Sequence, residues 1–212
     1  MSNVRWEENL QIAFDLKLNH LSCYALTVEP KTALAHFIKT VQYPPLNDAV
    51  AAQHFQTLVT ATANAGFTHY EVCSFGKPGY FSKHNSSYWL GKPYLGVGPS
   101  AHSFDGRKRS WNVSNNNQYI NTIAKNELPL TSELLTPENR FNEYIMTGLR
   151  TIWGVSLKRI EEEFGLGVQT SLLNNAHGYL ASETLKIENA HLKMTPKGQF
   201  LSDGIASDLF IV

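Results

Sequence analysis

Two strand-like runs with a helix between them constrain the fold of this chain most strongly. Residues 21–28 (LSCYALTV) and 69–75 (HYEVCSF) are apolar and rich in β-branched and aromatic residues, which is typical of buried strands. A helix is predicted between them, because Asn47 or Asp48 can cap its start and Gly66 can end it. Strand, helix and strand at this spacing indicate parallel pairing with a right-handed crossover, as in α/β folds.

The region after residue 130 has a different pattern, typical of helices around a short hairpin. Thr136 and Pro137 predict the start of a helix, since Thr is a good N-cap and Pro is tolerated in the first turn. The elements predicted in this region are helices over about 137–153, 157–164, 168–181 and 196–209, and strands over 185–189 and 191–195. Together they predict a small winged-helix-like module.

We therefore expect two domains, an α/β domain over residues 1–130 and a helical α+β domain over residues 131–212. The hydrophobic content of 42% is sufficient for an ordinary core. The 18 basic and 18 acidic side chains balance, so the charge gives no general reason to bind nucleic acid. The predicted helix 168–181 contains no Lys or Arg, which argues against a DNA-recognition helix. With no long apolar run and no leader-like start, we expect a cytoplasmic protein.

The cysteines, Cys23 and Cys73, lie fifty positions apart in apolar segments. Isolated cysteines at this spacing predict neither a disulfide framework nor a zinc site. An iron–sulfur cluster needs several converging thiolates. We therefore expect no cluster to be held by this polypeptide alone, and no metal ligand for one.

The segment HNSSYW, residues 84–89, places four chemically informative side chains in a glycine-bounded stretch that is predicted to be a loop. In one interpretation His84 offers its imidazole to a metal or substrate, while Tyr88 and Trp89 supply flat apolar surface. This combination suits a planar macrocycle such as haem, for which an axial His is a recurrent ligand. In the other interpretation the aromatic residues anchor the loop and Asn85 bonds the backbone.

Two further segments combine small residues with polar side chains at predicted strand ends. Gly96 and Gly98 precede His102, and these glycines indicate either close approach of a ligand or a tightly packed strand end. Thr27 and Glu29 lie at the C-terminal end of the first predicted strand, at the edge where parallel α/β folds bind ligands. Glu29 is equally consistent with a local cap before a proline.

In this order, these segments resemble one family, the oxygen-independent coproporphyrinogen III oxidases, which are radical S-adenosylmethionine (radical SAM) proteins. The resemblance is carried by HLSCYALTVEP (20–30), YEVCSFGKPG (70–79), HNSSYW (84–89), YLGVGPSAHSF (94–104), RSWNV (109–113), ENRFNEYIMTGLRTIWGVSL (138–157) and LKMTPKG (192–198). HNSSYW fits the HNxxYW pattern of the HemW-like haem-chaperone branch, in which that motif is associated with haem binding. True coproporphyrinogen oxidases generally lack it.

The resemblance implies the C-terminal part of an incomplete radical-SAM (β/α) barrel followed by a small α+β winged-helix-like domain. It implies S-adenosylmethionine and a 4Fe–4S cluster as cofactors of the full-length parent, with haem or porphyrin as a further ligand. Thr27 and His102 match family positions that touch S-adenosylmethionine, and His84 is the candidate ligand of haem iron. The haem-associated motif matches His84, Asn85, Tyr88 and Trp89.

The family's CxxxCxxC cluster loop and glycine-rich S-adenosylmethionine segment would precede residue 1. We therefore expect this chain alone not to cleave S-adenosylmethionine, although its parent family consists of radical-SAM oxidoreductases. An incomplete barrel also exposes a strand edge near residues 20–28, which predicts self-association.

Three functions remain open from the sequence. The leading prediction is haem binding and delivery, for which the resemblance implies a membrane protein as haem acceptor. The second is oxidative decarboxylation of coproporphyrinogen III to protoporphyrinogen IX in porphyrin biosynthesis. The third treats residues 130–212 as a non-enzymatic interaction module.

Overall fold

The structure is a computed structural model that describes residues 1–211. Contacts between residues divide the chain into two compact units, Met1–Phe81 and the part that begins at Ser82. The domain boundary predicted near residue 130 lies within the second unit, and it stays a prediction.

The first unit contains short strands and longer helices, in the order α1 (Asn3–Asp15), β1 (His20–Ser22), α2 (Ala33–Lys39), α3 (Asp48–Asn64), β2 (Thr68–Glu71) and β3 (Ser74–Gly76). The helix predicted from Asn47 is confirmed, because the Asn47 side chain accepts a hydrogen bond from the Val50 amide at 3.1 Å. The core of this unit is formed by Leu10, Leu58, Phe67 and Phe75.

The strands of the first unit pair antiparallel in the order β1–β3–β2, so the predicted parallel pairing is wrong. The run 69–75 is not one strand, because the chain reverses direction after Glu71. Inside this reversal the buried Glu71 carboxylate accepts a hydrogen bond from the Cys73 amide at 3.2 Å. The returning strand β3 therefore lies between β1 and β2.

Residues 21–28 keep strand structure only at their start. β1 ends at Ser22, where the short strand β3 offers no further register partner. Beyond it, Tyr24 and Leu26 are 72% and 64% exposed. The prediction of a buried strand through residue 28 is therefore wrong.

Residues 31–45 contain helix α2. Thr32 starts this helix, because its hydroxyl accepts a hydrogen bond from the Ala35 amide at 3.2 Å. Pro44 and Pro45 follow the helix and do not interrupt it.

Over residues 82–211, the second unit contains α4 (Lys83–Trp89), β4 (His102–Phe104), β5 (Lys108–Asn112), α5 (Asn116–Ile123), β6 (Leu130–Leu134), α6 (Pro137–Leu149), β7 (Val155–Ser156), α7 (Leu157–Phe164), α8 (Leu166–Ala181), β8 (Leu185–Glu188), β9 (His191–Met194), a 3₁₀ turn (Gln199–Leu201) and α9 (Ser202–Asp208). The strands β4, β5 and β6 form one antiparallel sheet in that order. Strand β5 contains most of the segment RSWNV (109–113), whereas β6 was not predicted.

The C-terminal part of this unit has the predicted helices and hairpin. Thr136 caps α6 through the Asn139 amide at 3.1 Å, and Ser156 caps α7 through the Arg159 amide at 3.2 Å. Strand β7 pairs with the β8–β9 hairpin in an antiparallel sheet of order β7–β9–β8. Its core includes the fully buried side chains Phe141, Ile145, Leu149, Ile160, Leu172 and Leu192.

The last helix begins later than predicted. Residues 195–198 form a turn, in which the Gly198 amide donates to the Thr195 carbonyl oxygen at 3.0 Å. A 3₁₀ turn follows, and α9 starts only at Ser202. No helix within residues 1–211 is both long enough and apolar enough to cross a membrane.

Candidate functional site

The HNSSYW segment is helical, so the prediction of a loop is wrong. Ser82 supplies the cap, because its hydroxyl accepts a hydrogen bond from the Asn85 amide at 3.2 Å. The glycines that suggested a loop lie outside this single short helix, α4. The helical repeat places His84 and Tyr88 one turn apart on the same face.

His84 and Tyr88 form the exposed face of α4. Their rings meet edge to face, with centroids 4.8 Å apart and an interplanar angle of 87°. Tyr88 in turn meets the ring of Tyr94 at 4.6 Å. Tyr94 is fixed by paired backbone hydrogen bonds with Phe104, each of 2.9 Å. The imidazole is therefore held at the solvent-facing end of an ordered row of aromatic rings.

Trp89 lies away from this face and anchors the helix. The Arg150 guanidinium lies 5.2 Å from the centre of the half-buried indole ring. The indole Nε1 is buried and has no hydrogen-bond partner among residues 1–211. Trp89 thus packs at the C-terminal end of α6, where Arg150 follows the helix. Asn85 is half-buried.

His102 lies beside an open cavity of about 600 Å³. It is opposite Trp111 in the β4–β5 ladder, and the centroids of the two rings are 6.1 Å apart. Gln118 and Thr131 also line the cavity, so flat rings and polar side chains share one opening. Such a lining suits a ligand with a planar base and hydrogen-bonding groups.

The two glycines before His102 serve the packing of the chain itself. A Cβ atom on Gly96 would lie 2.2 Å from the His102 carbonyl oxygen, so only glycine fits there. Gly98 has a φ of +106°, and its carbonyl oxygen accepts a hydrogen bond from the Asn112 side chain at 2.9 Å. Of the two interpretations open from the sequence, the tightly packed strand end fits Gly96.

Thr27 belongs to the first unit, where it is exposed in a segment without regular secondary structure. It does not lie at the end of a strand, because β1 ends at Ser22. Glu29 acts locally, since its carbonyl oxygen accepts a hydrogen bond from the Thr32 hydroxyl at 2.8 Å. The assignment of Thr27 to S-adenosylmethionine stays a prediction.

The residues present do not fit an iron–sulfur cluster. Cys23 and Cys73 lie near each other in the first unit, where the Cys23 amide donates to the Cys73 carbonyl oxygen at 2.8 Å. Burial raises the pKa of the Cys23 thiol, which disfavours the thiolate that a cluster would need. Within residues 1–211 no three His, Cys, Asp or Glu side chains are grouped to hold a metal ion.

Sequence reasoning missed a second cavity, of about 420 Å³, that opens beside Tyr88 in the second unit. Its lining contains ion pairs between distant segments, such as Arg109 with Glu143. Only the Arg159–Glu163 pair, four residues apart on α7, has a spacing that the sequence could reveal. Glu163 is therefore not a purely solvated side chain of α7, because it pairs with Arg140 and Arg159.

Residues 135–201 match the family described as the HemN C-terminal domain. The chain is 33% identical over 162 residues to "Heme chaperone HemW" of Bacillus subtilis, covering 75% of this chain and 42% of that protein. It is 31% identical over 202 residues to "Heme chaperone HemW" of Mycobacterium tuberculosis H37Rv, covering 95% and 50%. The chain thus spans about half the length of these curated relatives.

The fold matches a solved structure of coproporphyrinogen III oxidase (HemN) from Escherichia coli, which is described as a radical SAM enzyme. The TM-score is 0.74 at 17% identity, and the match covers 95% of this chain and 50% of that chain. The predicted fold class is confirmed, because the chain has the mixed α/β fold of the C-terminal part of that structure.

Proposed function

Since this chain is homologous to the C-terminal half of HemW and HemN proteins, we propose that it forms a haem-binding surface of a HemW-like protein. The observation that carries this proposal is the exposed imidazole of His84, held by the ring of Tyr88 on one face of α4. The relatives named as haem chaperones support the choice of haem as the ligand.

The chemistry of the helix face is suited to this role. Within the described chain, no hydrogen bond or ion pair occupies the His84 ring, so a nitrogen lone pair is available to iron. The edge-to-face contact with Tyr88 restricts the orientation of the imidazole, and His84 remains exposed to solvent. An axial imidazole on haem iron is a common form of protein ligation.

Haem titration followed by the Soret band tests the proposal. The protein and the His177→Ala variant, which changes an exposed histidine on α8, are expected to shift the band in the same way. The His84→Ala variant is expected to lose that shift or to give a different band. An unchanged shift in His84→Ala would remove His84 as the iron ligand.

S-adenosylmethionine is the second ligand in the proposal, with His102 and Thr27 as contacts. The cavity beside His102 supports one of these contacts, because its rings and polar groups suit an adenosyl group. Equilibrium binding of S-adenosylmethionine to the full-length parent that the resemblance implies should weaken in His102→Ala. Equal affinity would contradict the assignment.

Radical cleavage of S-adenosylmethionine is not assigned to this chain, since Cys23 and Cys73 do not fit an iron–sulfur cluster. The second candidate function is decarboxylation of coproporphyrinogen III. It rests only on the likeness in fold to HemN, and a shared fold does not by itself imply a shared activity. An anaerobic assay of the full-length parent with a reconstituted cluster distinguishes haem delivery from decarboxylation. Protoporphyrinogen formation would favour the oxidase, and haem transfer without it would favour the chaperone.

Two partner interactions complete the proposal. A membrane protein is proposed as the acceptor of delivered haem, and a second copy of the chain is proposed to pair near residues 20–28. The exposed Tyr24 and Leu26 beside the edge strand β1 support the second interaction. Sedimentation velocity should show a concentration-dependent dimer that Leu26→Glu weakens.

A further inference from the structure

The 420 Å³ cavity of the second unit is lined at one side by the haem-motif helix. Tyr88 both lines this cavity and contacts the His84 ring, so one side chain joins the cavity to the imidazole face. Trp89 and Tyr144 line it as well. A planar ligand lying on the His84–Tyr88 face therefore has one edge beside this opening.

Basic side chains dominate the rest of the lining. The cations are Lys92, Arg109, Arg140 and Arg159, and the carboxylates are Glu143 and Glu163. Counted over these lining residues, four positive charges stand against two negative ones, which leaves two positive charges in excess.

The ion pairs show where this excess lies. Arg109 is saturated, because its two terminal nitrogens donate to the Glu143 carboxylate at 2.7 and 2.9 Å. Arg140 and Arg159 share the single carboxylate of Glu163, at 3.1 and 2.7 Å. One guanidinium charge in this triad is therefore not balanced.

Lys92 supplies the other unbalanced charge. Within residues 1–211 its ammonium makes no ion pair, and the residue is exposed beside Tyr88 and Trp89. Arg159 is held in place by the Tyr144 ring, which lies 4.1 Å from the guanidinium carbon. The cavity thus combines a guanidinium packed on an aromatic ring with an exposed ammonium outside the ion pairs.

We propose that this cavity binds the two carboxylates of a porphyrin, with Lys92 and the Arg140–Arg159 pair as their partners. The inference rests on the proposed function, because it assumes that the macrocycle lies on the His84–Tyr88 face. The two propionates of haem leave one edge of the macrocycle, and their two negative charges match the excess of two positive charges.

Metal-free mesoporphyrin IX and its dimethyl ester test this inference without iron. Fluorescence titration is expected to show the free dicarboxylate bound about tenfold more tightly than the ester, because only the dicarboxylate forms charged pairs. The difference should shrink as the salt concentration rises. Equal affinities for the two probes would overturn the inference.

Variants locate the carboxylate partners. Lys92→Gln combined with Arg140→Gln is expected to weaken the dicarboxylate about tenfold and to leave the ester unchanged. Lys125→Gln, which changes an exposed lysine outside the cavity, is the matched control. If the double variant shows a lowered melting temperature, Lys92→Gln alone is used, with a loss of about threefold expected.

The two proposals fail separately. A preference for the dicarboxylate over the ester without a His84-dependent Soret band would sustain the carboxylate site and defeat iron ligation by His84. A His84-dependent band with equal affinity for both porphyrins would do the reverse. Dicarboxylate affinity that is unchanged in the charge variants would overturn the carboxylate site.

Discussion

The imidazole of His84 meets the ring of Tyr88 edge to face, with the two ring centroids 4.8 Å apart and an interplanar angle of 87°. This contact exists because α4 places the two side chains one turn apart. Tyr88 is itself packed against Tyr94, whose backbone is bonded to Phe104. The orientation of the imidazole thus depends on the β4–β5 sheet, because each ring packs against the next one.

Tyr88→Ala is expected to weaken haem binding about fivefold, because it removes a ring contact worth about 1 kcal/mol. Tyr88→Phe keeps the ring and should bind haem as the unmodified protein does. Dissociation constants from Soret titrations measure both effects. If Phe and Ala at this position weaken binding equally, the hydroxyl and not the ring edge is the feature that matters.

Gly96→Ala is expected to destabilise the second unit by about 2 kcal/mol, because the added Cβ would meet the His102 carbonyl oxygen at 2.2 Å. Gly178→Ala is the control, since a Cβ there meets nothing within 4 Å and lies inside α8. It should stabilise the protein by about 1 kcal/mol through helix propensity. Denaturant unfolding measures both, and a Gly96→Ala variant as stable as the parent would show that the strand end relaxes freely.

The stability of the C-terminal hairpin is expected to depend on pH through the carboxyl group of Glu188. Hydrogen bonds from Lys186 and Lys193, at 2.8 and 2.9 Å, lower the pKa of its carboxyl group from 4.5 to about 2. Because the folded-state pKa is the lower one, this stabilisation is fully present above about pH 4.5. It is lost as the pH falls towards about 2.

Glu188→Gln should therefore reduce the free energy of unfolding at pH 7, and the difference from the parent should vanish towards pH 2. The difference should also shrink in high salt, since the group is exposed. Urea unfolding across this pH range measures it. A difference that is constant with pH would show that the ion pairs contribute nothing to stability.

Local signals predicted the C-terminal helices well. Thr136 with Pro137 and Ser156 act through hydrogen bonds within one turn, so the residue types alone indicate where α6 and α7 begin. The hairpin at 185–194 likewise depends on neighbouring residues. These elements are dictated by interactions of short range.

Tertiary pairing decided the elements that the sequence did not predict. The reversal after Glu71 turns an apparent single strand into a hairpin, and β3 then lies where a parallel neighbour was expected. Helix α4 depends on a serine cap inside a glycine-rich stretch that favours loops. The pair of Arg109 with Glu143 joins residues 34 positions apart, which no local pattern reveals.

The bond between haem iron and the His84 nitrogen is the central claim, and pulsed electron paramagnetic resonance of the ferric haem complex tests it most directly. With 15N-labelled histidine, hyperfine coupling from a ring nitrogen is expected in the protein and in His177→Ala, and it should be absent in His84→Ala. The same coupling in His84→Ala would contradict the account, because another residue would then hold the iron.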